Sequence, residues 1–148
     1  MADKIHVKIC GMRDPENIRK VAGLKPDYLG FILYPPSKRF LGENYILDSP
    51  VPEGILKVGV FVNALITEVV HWVNRLELDF VQLHGEESPE YCYELQLIGI
   101  PVIKSFGIEP GFDFSHTEPW LPVADYFLFD TKTPERGGSG KQFNWVQL

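Results

Sequence analysis

Val7-Lys8-Ile9-Cys10-Gly11-Met12-Arg13-Asp14-Pro15-Glu16-Asn17-Ile18 runs from an apolar, strand-like stretch through a glycine directly into a helix start. A period of two puts Lys8 and Cys10 on the same side of the strand. Asp14-Pro15-Glu16 then offers an N-cap, a proline at the first helical position and an acid in the first turn, with Ile18, Val21 and Ala22 following on one face. Gly11 lets the chain turn sharply between the two. The segment reads as one β-loop-α unit, and the fold depends on how often that unit recurs.

Further runs rich in β-branched and aromatic residues occur at 27–33, 56–62, 79–84, 101–106 and 126–130, which with 5–10 makes six. They begin roughly 20 to 30 residues apart, the length of a β-loop-α-loop unit. Their nearly continuous apolar character predicts parallel strands covered on both faces. Ser88-Pro89-Glu90 repeats the helix-start device ahead of Tyr91, Leu95 and Ile98. Asn63 is expected to cap a helix carrying Leu65, Val69, Trp72, Val73 and Leu76. Residues 43–54 and 108–122, each holding several prolines, predict loops with at most a turn of helix. Six such units fit either an open doubly wound sheet or part of an eight-fold barrel, and composition does not choose.

The chain has 148 residues, 45% hydrophobic and 23% charged, the profile of one globular domain with a core of its own, so residues 1–148 are read as a single unit. It contains no run of about 18 apolar residues, and Met1-Ala2-Asp3-Lys4 lacks a signal peptide's apolar centre, so the expected location is the cytoplasm and no membrane partner is expected. Cys10 and Cys92 are far apart without metal-ligand spacing, which predicts free thiols and no metal site. A net charge of −6 argues against nucleic acid. Arg13, Lys38, Arg39, Lys132, Arg136 and Lys141 nevertheless all follow predicted strands. If those loops share one face they form a cationic cup suited to a small anionic ligand.

In both architectures ligands bind beyond the carboxyl ends of the strands. Those ends carry Cys10, the Tyr34–Arg39 loop, Asn63, His84, Phe106-Gly107 and Asp130: a thiol, a guanidinium, an imidazole and a carboxylate on one expected rim. Lys8, Gln82 and Lys104, polar within strands, are expected to share a polar interior, because burying them unpaired is costly. Taken as isolated residues, Cys10 reads as a small buried hydrophobe, Asp130 as the cap of a following turn, and Arg39 as a solvated charge. Gly137, Gly138, Ser139, Gly140 and Lys141 could form a phosphate nest or a lid, or a plain flexible loop. The glycine spacing is not that of a P-loop.

Taken in order, VKICG, GFILYPPSKR, VGVFVN, VQLHGEE, VIKSFG and FLFDTKTPERGGSGKQFNW closely resemble the phosphoribosylanthranilate isomerase family of tryptophan biosynthesis, from residue 5 to the end. That resemblance implies a TIM (β/α)₈ barrel and an Amadori rearrangement of N-(5-phosphoribosyl)anthranilate to 1-(2-carboxyphenylamino)-1-deoxyribulose 5-phosphate, without metal or organic cofactor. It implies Asp130 as general acid toward the ring oxygen and Cys10 as general base at C2. It also implies that Arg39 meets the anthranilate carboxylate and that Gln82 and His84 line the site. Lys8, beside Cys10, would help hold a neighbouring negative charge.

Members of the family run to about 200 residues, near the lower bound for such a barrel. The expectation is therefore a C-terminally truncated barrel with about six of eight units, without the loops that commonly hold phosphate after strands seven and eight. Its open edges are expected to promote self-association. Two other readings stand beside it. One is a non-catalytic remnant assembling through those edges; the other is a phosphosugar aldolase using Lys8 or Lys104 as a Schiff base.

Overall fold

Each apolar run becomes a strand. In a computed structural model, which describes residues 4–48, 50–133 and 140–148, the strands are β1 (Lys8–Cys10), β2 (Tyr28–Ile32), β3 (Leu56–Phe61), β4 (Phe80–Leu83), β5 (Val102–Ile108) and β6 (Tyr126–Thr131). They form one sheet in chain order, every neighbouring pair parallel. This is six units of a (β/α)₈ wall, and the ambiguity between open sheet and barrel is resolved in favour of the barrel. β1 is shorter than residues 5–10. Ahead of Lys8 the edge is held partly by the side chain of Asp27, which accepts from the Val7 N–H at 2.9 Å, and Ile5 and Val7 are exposed.

Three helices cover the outer face: α1 (Pro15–Ala22), α2 (Ile66–Leu76) and α3 (Pro89–Leu97). The carboxylate of Asp14 accepts from Asn17 N at 2.8 Å and the hydroxyl of Ser88 from Tyr91 N at 3.3 Å, so both predicted caps form. Asn63 does not cap α2. The N-cap is Leu65, with no side-chain hydrogen bond, and Asn63 sits three residues before the helix at φ 50°, a left-handed conformation that Asn tolerates. Leu65 is accordingly exposed, and Val69, Trp72 and Leu76 carry the buried stripe. On α3 the buried residues are Cys92 and Leu95; Ile98 lies beyond the helix end and faces solvent.

The described residues of 33–55 cross without an α-helix, and the β5–β6 connection holds only a 3₁₀ helix, Phe114–Trp120, with Pro119 inside it. There an aromatic cluster covers the sheet in place of a helix, Phe106 meeting Phe127 at 5.1 Å and Trp120 at 5.5 Å. A 3₁₀ turn, Trp145–Gln147, capped by Asn144, follows Phe143.

Period-two alternation separates two environments. The outward set, including Leu29, Phe31, Phe61, Val81, Leu83 and Val102, is fully buried with Ile18, Val69, Trp72 and Leu95 of the helices and forms the main core. The inward set is Lys8 and Cys10, Tyr28 and Gly30, Val58 and Val60, Phe80 and Gln82, Ile103 and Ser105, and Leu128 with Asp130, as the paired register dictates. Near the amino ends, Tyr28 meets Phe80 edge to face at 6.1 Å and Phe80 meets Tyr126 in a tilted pair at 5.8 Å, one ring from each even strand. Alternate strands filling one layer is the packing of a barrel interior. The Lys8 ammonium donates to Gln82 Oε1. In a flat sheet β1 and β4 would stand about 14 Å apart, so this bond requires the wall to curl around its inward face.

Candidate active site

The carboxyl end of β1 is built around two glycines. Gly11, at φ +88°, turns the chain so that the N–H groups of Gly11 and Met12 both donate to Gly30 O at 2.9 Å. A Cβ on Gly11 would meet the Arg39 guanidinium at 2.8 Å, so Arg39 lies directly over the turn that follows Cys10, its Nη1 3.5 Å from Cys10 O. Gly30, opposite Cys10 in β2, leaves space that a methyl group would close, since its Cβ would fall 2.7 Å from Cys10 Sγ. The thiol therefore points inward, over Gly30, and not into the helical layer. Gly30 was not singled out in the sequence, although a glycine inside a strand is a signal for close approach.

Arg39 is delivered by a knotted loop. Ser37 N–H donates to Tyr34 O at 2.9 Å, Ser37 Oγ accepts from Arg39 N at 3.2 Å, and Leu41 N–H returns to Ile32 O at 3.1 Å. Arg13 Nη1 stands 3.5 Å from the carbonyl oxygen of Lys38, the residue before Arg39. Lys132 instead pairs with Glu109 at 2.7 Å. Lys141 is tied to β6 through its carbonyl, which accepts from Thr131 Oγ1 at 2.8 Å. Arg136, Gly137, Gly138 and Ser139 lie outside the described residues.

From β4 to β6 runs a polar line. Gln82 Nε2 is 3.1 Å from His84 Nδ1, and His84 Nε2 is 3.7 Å from Asp130 Oδ2. The His84 side chain is largely buried, which is the main cause of its pKa lying below the ordinary histidine value. Asp130 pulls the other way, and Lys104 and Lys8 disfavour the proton further. Asp130 also accepts from Thr131 N at 2.8 Å through Oδ1, leaving Oδ2 toward His84. Ser105, two residue pairs below the Gly107–Asp130 pair, is buried on the inward face, with no hydrogen-bond partner for its Oγ among the described residues.

Lys104 does not join Lys8 and Gln82. Register pairs it with Leu83, whose side chain is outward, so Lys104 is buried between the sheet and α3. There its ammonium contacts Glu87 Oε2 at 3.0 Å and the Gly85 carbonyl at 2.8 Å. Glu87 in turn accepts from Asn63 N at 2.8 Å and Gly85 N at 3.0 Å, and Trp120 Nε1 donates to the Glu87 carbonyl at 3.2 Å. This cluster, missed in the sequence, clasps the turn that follows His84. It also removes Lys104 as a Schiff-base amine, because the amine is buried, ion-paired and on the wrong side of the wall.

Thiol, imidazole and carboxylate thus share the inward face at the carboxyl ends of a parallel barrel wall, with the Arg39 guanidinium over the turn that follows the thiol, and this defines a (β/α)-barrel protein, a fold whose ligand sites conventionally lie at that end. The family model of N-(5'-phosphoribosyl)anthranilate (PRA) isomerase matches residues 7–148, and the chain belongs to that family. It is 47% identical over 148 residues to N-(5'-phosphoribosyl)anthranilate isomerase of Parabacteroides distasonis, covering 96% of this chain and 66% of that relative, so it spans about two thirds of the relative's length. Among solved structures, the Thermotoga maritima phosphoribosyl anthranilate isomerase superposes with a TM-score of 0.77 at 35% identity, over 96% of this chain and 69% of that one. A further isomerase, crystallised with reduced 1-(o-carboxyphenylamino)-1-deoxyribulose 5-phosphate, matches at a TM-score of 0.67 and 28% identity, over 85% of this chain and 75% of that one.

Proposed function

We propose that the protein to which these residues belong isomerises N-(5'-phosphoribosyl)anthranilate, with Asp130 as acid and Cys10 as base. Asp130 gives its proton to the furanose ring oxygen. The C1–O bond breaks, and the anilino nitrogen supplies electrons to form an iminium. The Cys10 thiolate then takes the C2 proton, and the electrons of that C–H bond neutralise the iminium to give an enolamine. Return of a proton to C1 and loss of the C2 hydroxyl proton yield the ketone, so the reaction is a redistribution of hydrogen with no net redox change.

The observation carrying this reading is the inward thiol over Gly30 with Arg39 lying across Gly11 beside it. A base and a fixed cation at adjacent points suit a substrate whose reacting carbon is close to an aromatic carboxylate. Arg39 is the partner for that carboxylate, by a bidentate contact. Lys8, Gln82 and His84 line the floor and wall. The six-strand polypeptide by itself is proposed to associate through β1 and β6, each paired on one side only among the described residues.

The test is fluorescence-monitored turnover of phosphoribosylanthranilate by this chain and by a form extended to the relatives' length. Activity lost on Cys10→Ala and on Asp130→Ala supports the assignment. A folded, extended protein that is inactive, or silent substitutions, would refute it.

A further inference from the structure

Lys8, Gln82, His84 and Asp130 stand in series across the inward face, from β1 through β4 to β6. The order of donors along this series is fixed by chemistry. An ammonium has donors only, so the atom of Gln82 that meets Lys8 Nζ is the amide oxygen. The Gln82 NH₂ is then the group 3.1 Å from His84 Nδ1, and that nitrogen must accept. A neutral imidazole accepting at Nδ1 carries its hydrogen on Nε2, which faces Asp130 Oδ2 at 3.7 Å.

We infer that Lys8 and Gln82 lock His84 in the neutral Nε2–H tautomer, making it a permanent hydrogen-bond donor to Asp130 and a positioning residue for that carboxyl group. The inference rests on the isomerase reading only for what Asp130 does. A proton added at Nδ1 would set two donors against each other, so His84 does not exchange protons in turnover. The groups facing it from the packed elements are Asp130 of β6, Lys104 of β5, Lys8 of β1 and Glu87 ahead of α3. Two cations and two carboxylates leave burial and the donor from Gln82 to decide. The 3.7 Å gap is longer than a formed hydrogen bond and is expected to tighten when substrate fills the site. When Asp130 has given up its proton, the carboxylate left behind then meets an N–H that is already in place, without proton movement.

Imidazole ¹⁵N spectra of ¹⁵N-histidine-labelled protein test this directly. The chain has four histidines, and the His84 signals are assigned by their loss in His84→Asn. Wild-type His84 should show a protonated Nε2 and a bare Nδ1, and should still do so at the ordinary midpoint of about 6.5. A hydrogen on Nδ1, a mixture of tautomers, or an ordinary titration overturns the proposal. Gln82→Glu puts a carboxylate opposite Nδ1 and should turn His84 into an imidazolium whose midpoint rises by at least about one unit, roughly tenfold in proton affinity. Lys8→Met is the second variant; it releases the amide, and both tautomers should appear. An unchanged spectrum in either variant counts against the lock. In turnover, Gln82→Glu should lower kcat about tenfold or more with KM nearly unchanged, and should displace the limb of the pH profile that reports the acid. A switched tautomer with unaltered kcat removes the positioning role. Wild-type protein that shows the Nε2–H tautomer but never turns over phosphoribosylanthranilate sinks the isomerase reading alone.

Discussion

Cys10 owes its place to its neighbours' lack of side chains. Gly30 leaves the space the sulfur occupies, and Gly11 leaves the space for Arg39. Gly30→Ala should therefore cost about 1–3 kcal/mol of stability through overpacking and reduce turnover by more than that loss explains. Urea unfolding and steady-state kinetics on one preparation separate the two effects. Loss of the acid or the base should lower kcat by about 10²–10⁴, measured with Asp130→Asn and Cys10→Ser, and a decrease under threefold in either would remove that residue from the chemistry. The second thiol behaves differently. Burial pushes Cys92 up to about 11, and it lies fully inside the core on the buried face of α3. Iodoacetamide followed by mass spectrometry should label Cys10 in native protein and both cysteines in denaturant, and native labelling of Cys92 first would contradict the packing described.

At the scale of elements, the clasp of Lys104 and Glu87 determines how the β4–α3 turn holds His84. Their side chains are only 3% and 1% exposed, so removing one partner leaves an uncompensated charge where water cannot reach. Lys104→Met should destabilise by about 3–5 kcal/mol. Adding Glu87→Gln should recover part of that loss, because the glutamine oxygen can still accept from Asn63 and Gly85 while the orphan charge is gone. Chemical denaturation of the two singles and the double gives the coupling directly, and simple additivity would mean that the pair is not a unit. The helix caps are smaller contributions: Asp14→Ala and Ser88→Ala should each cost about 1 kcal/mol.

At the scale of the whole molecule, curvature decides the function. The Lys8–Gln82 bond spans three strand spacings, and this brings His84 toward Asp130 on the far strand of the wall. The buried, neutral His84 also marks the stability of the whole fold with a pH signature. Its folded pKa is lowered, so below about pH 6.5 the unfolded chain binds a proton that the folded chain refuses, and stability falls as pH falls through that window. Thermal unfolding of wild type and His84→Asn from pH 5 to 8 should show wild type gaining stability relative to the variant as pH rises through that window and levelling off above neutrality. Wild type that instead loses stability relative to the variant as pH rises would reverse the sign and exclude the cause. The two half-paired strands, β1 and β6, lead us to expect concentration-dependent association of the 148-residue polypeptide in sedimentation velocity. A monomer at every concentration would discard it.

Strand positions, their parallel order, the caps of α1 and α3 and the weak crossovers were all legible in the chain, because hydrophobic period, proline placement and capping residues are local properties that neighbouring residues impose on one another. So were the side that Cys10 shares with Lys8, through parity, and the place of Asp130 at a strand end. Asn63 and Lys104 were not. A helix cap and a left-handed latch ask for the same residue type, and only the acceptance of the Asn63 N–H by Glu87, 24 positions away, separates them. Lys104 lies in a strand whose apolar run hides its parity, so nothing local says which face its ammonium takes; the register against Leu83 assigns it to the helical side. The sequence by itself determined the repeating unit and the chemical groups at its strand ends. Tertiary structure alone decided which of those groups meet, because register and curl are set by contacts between residues far apart in the chain.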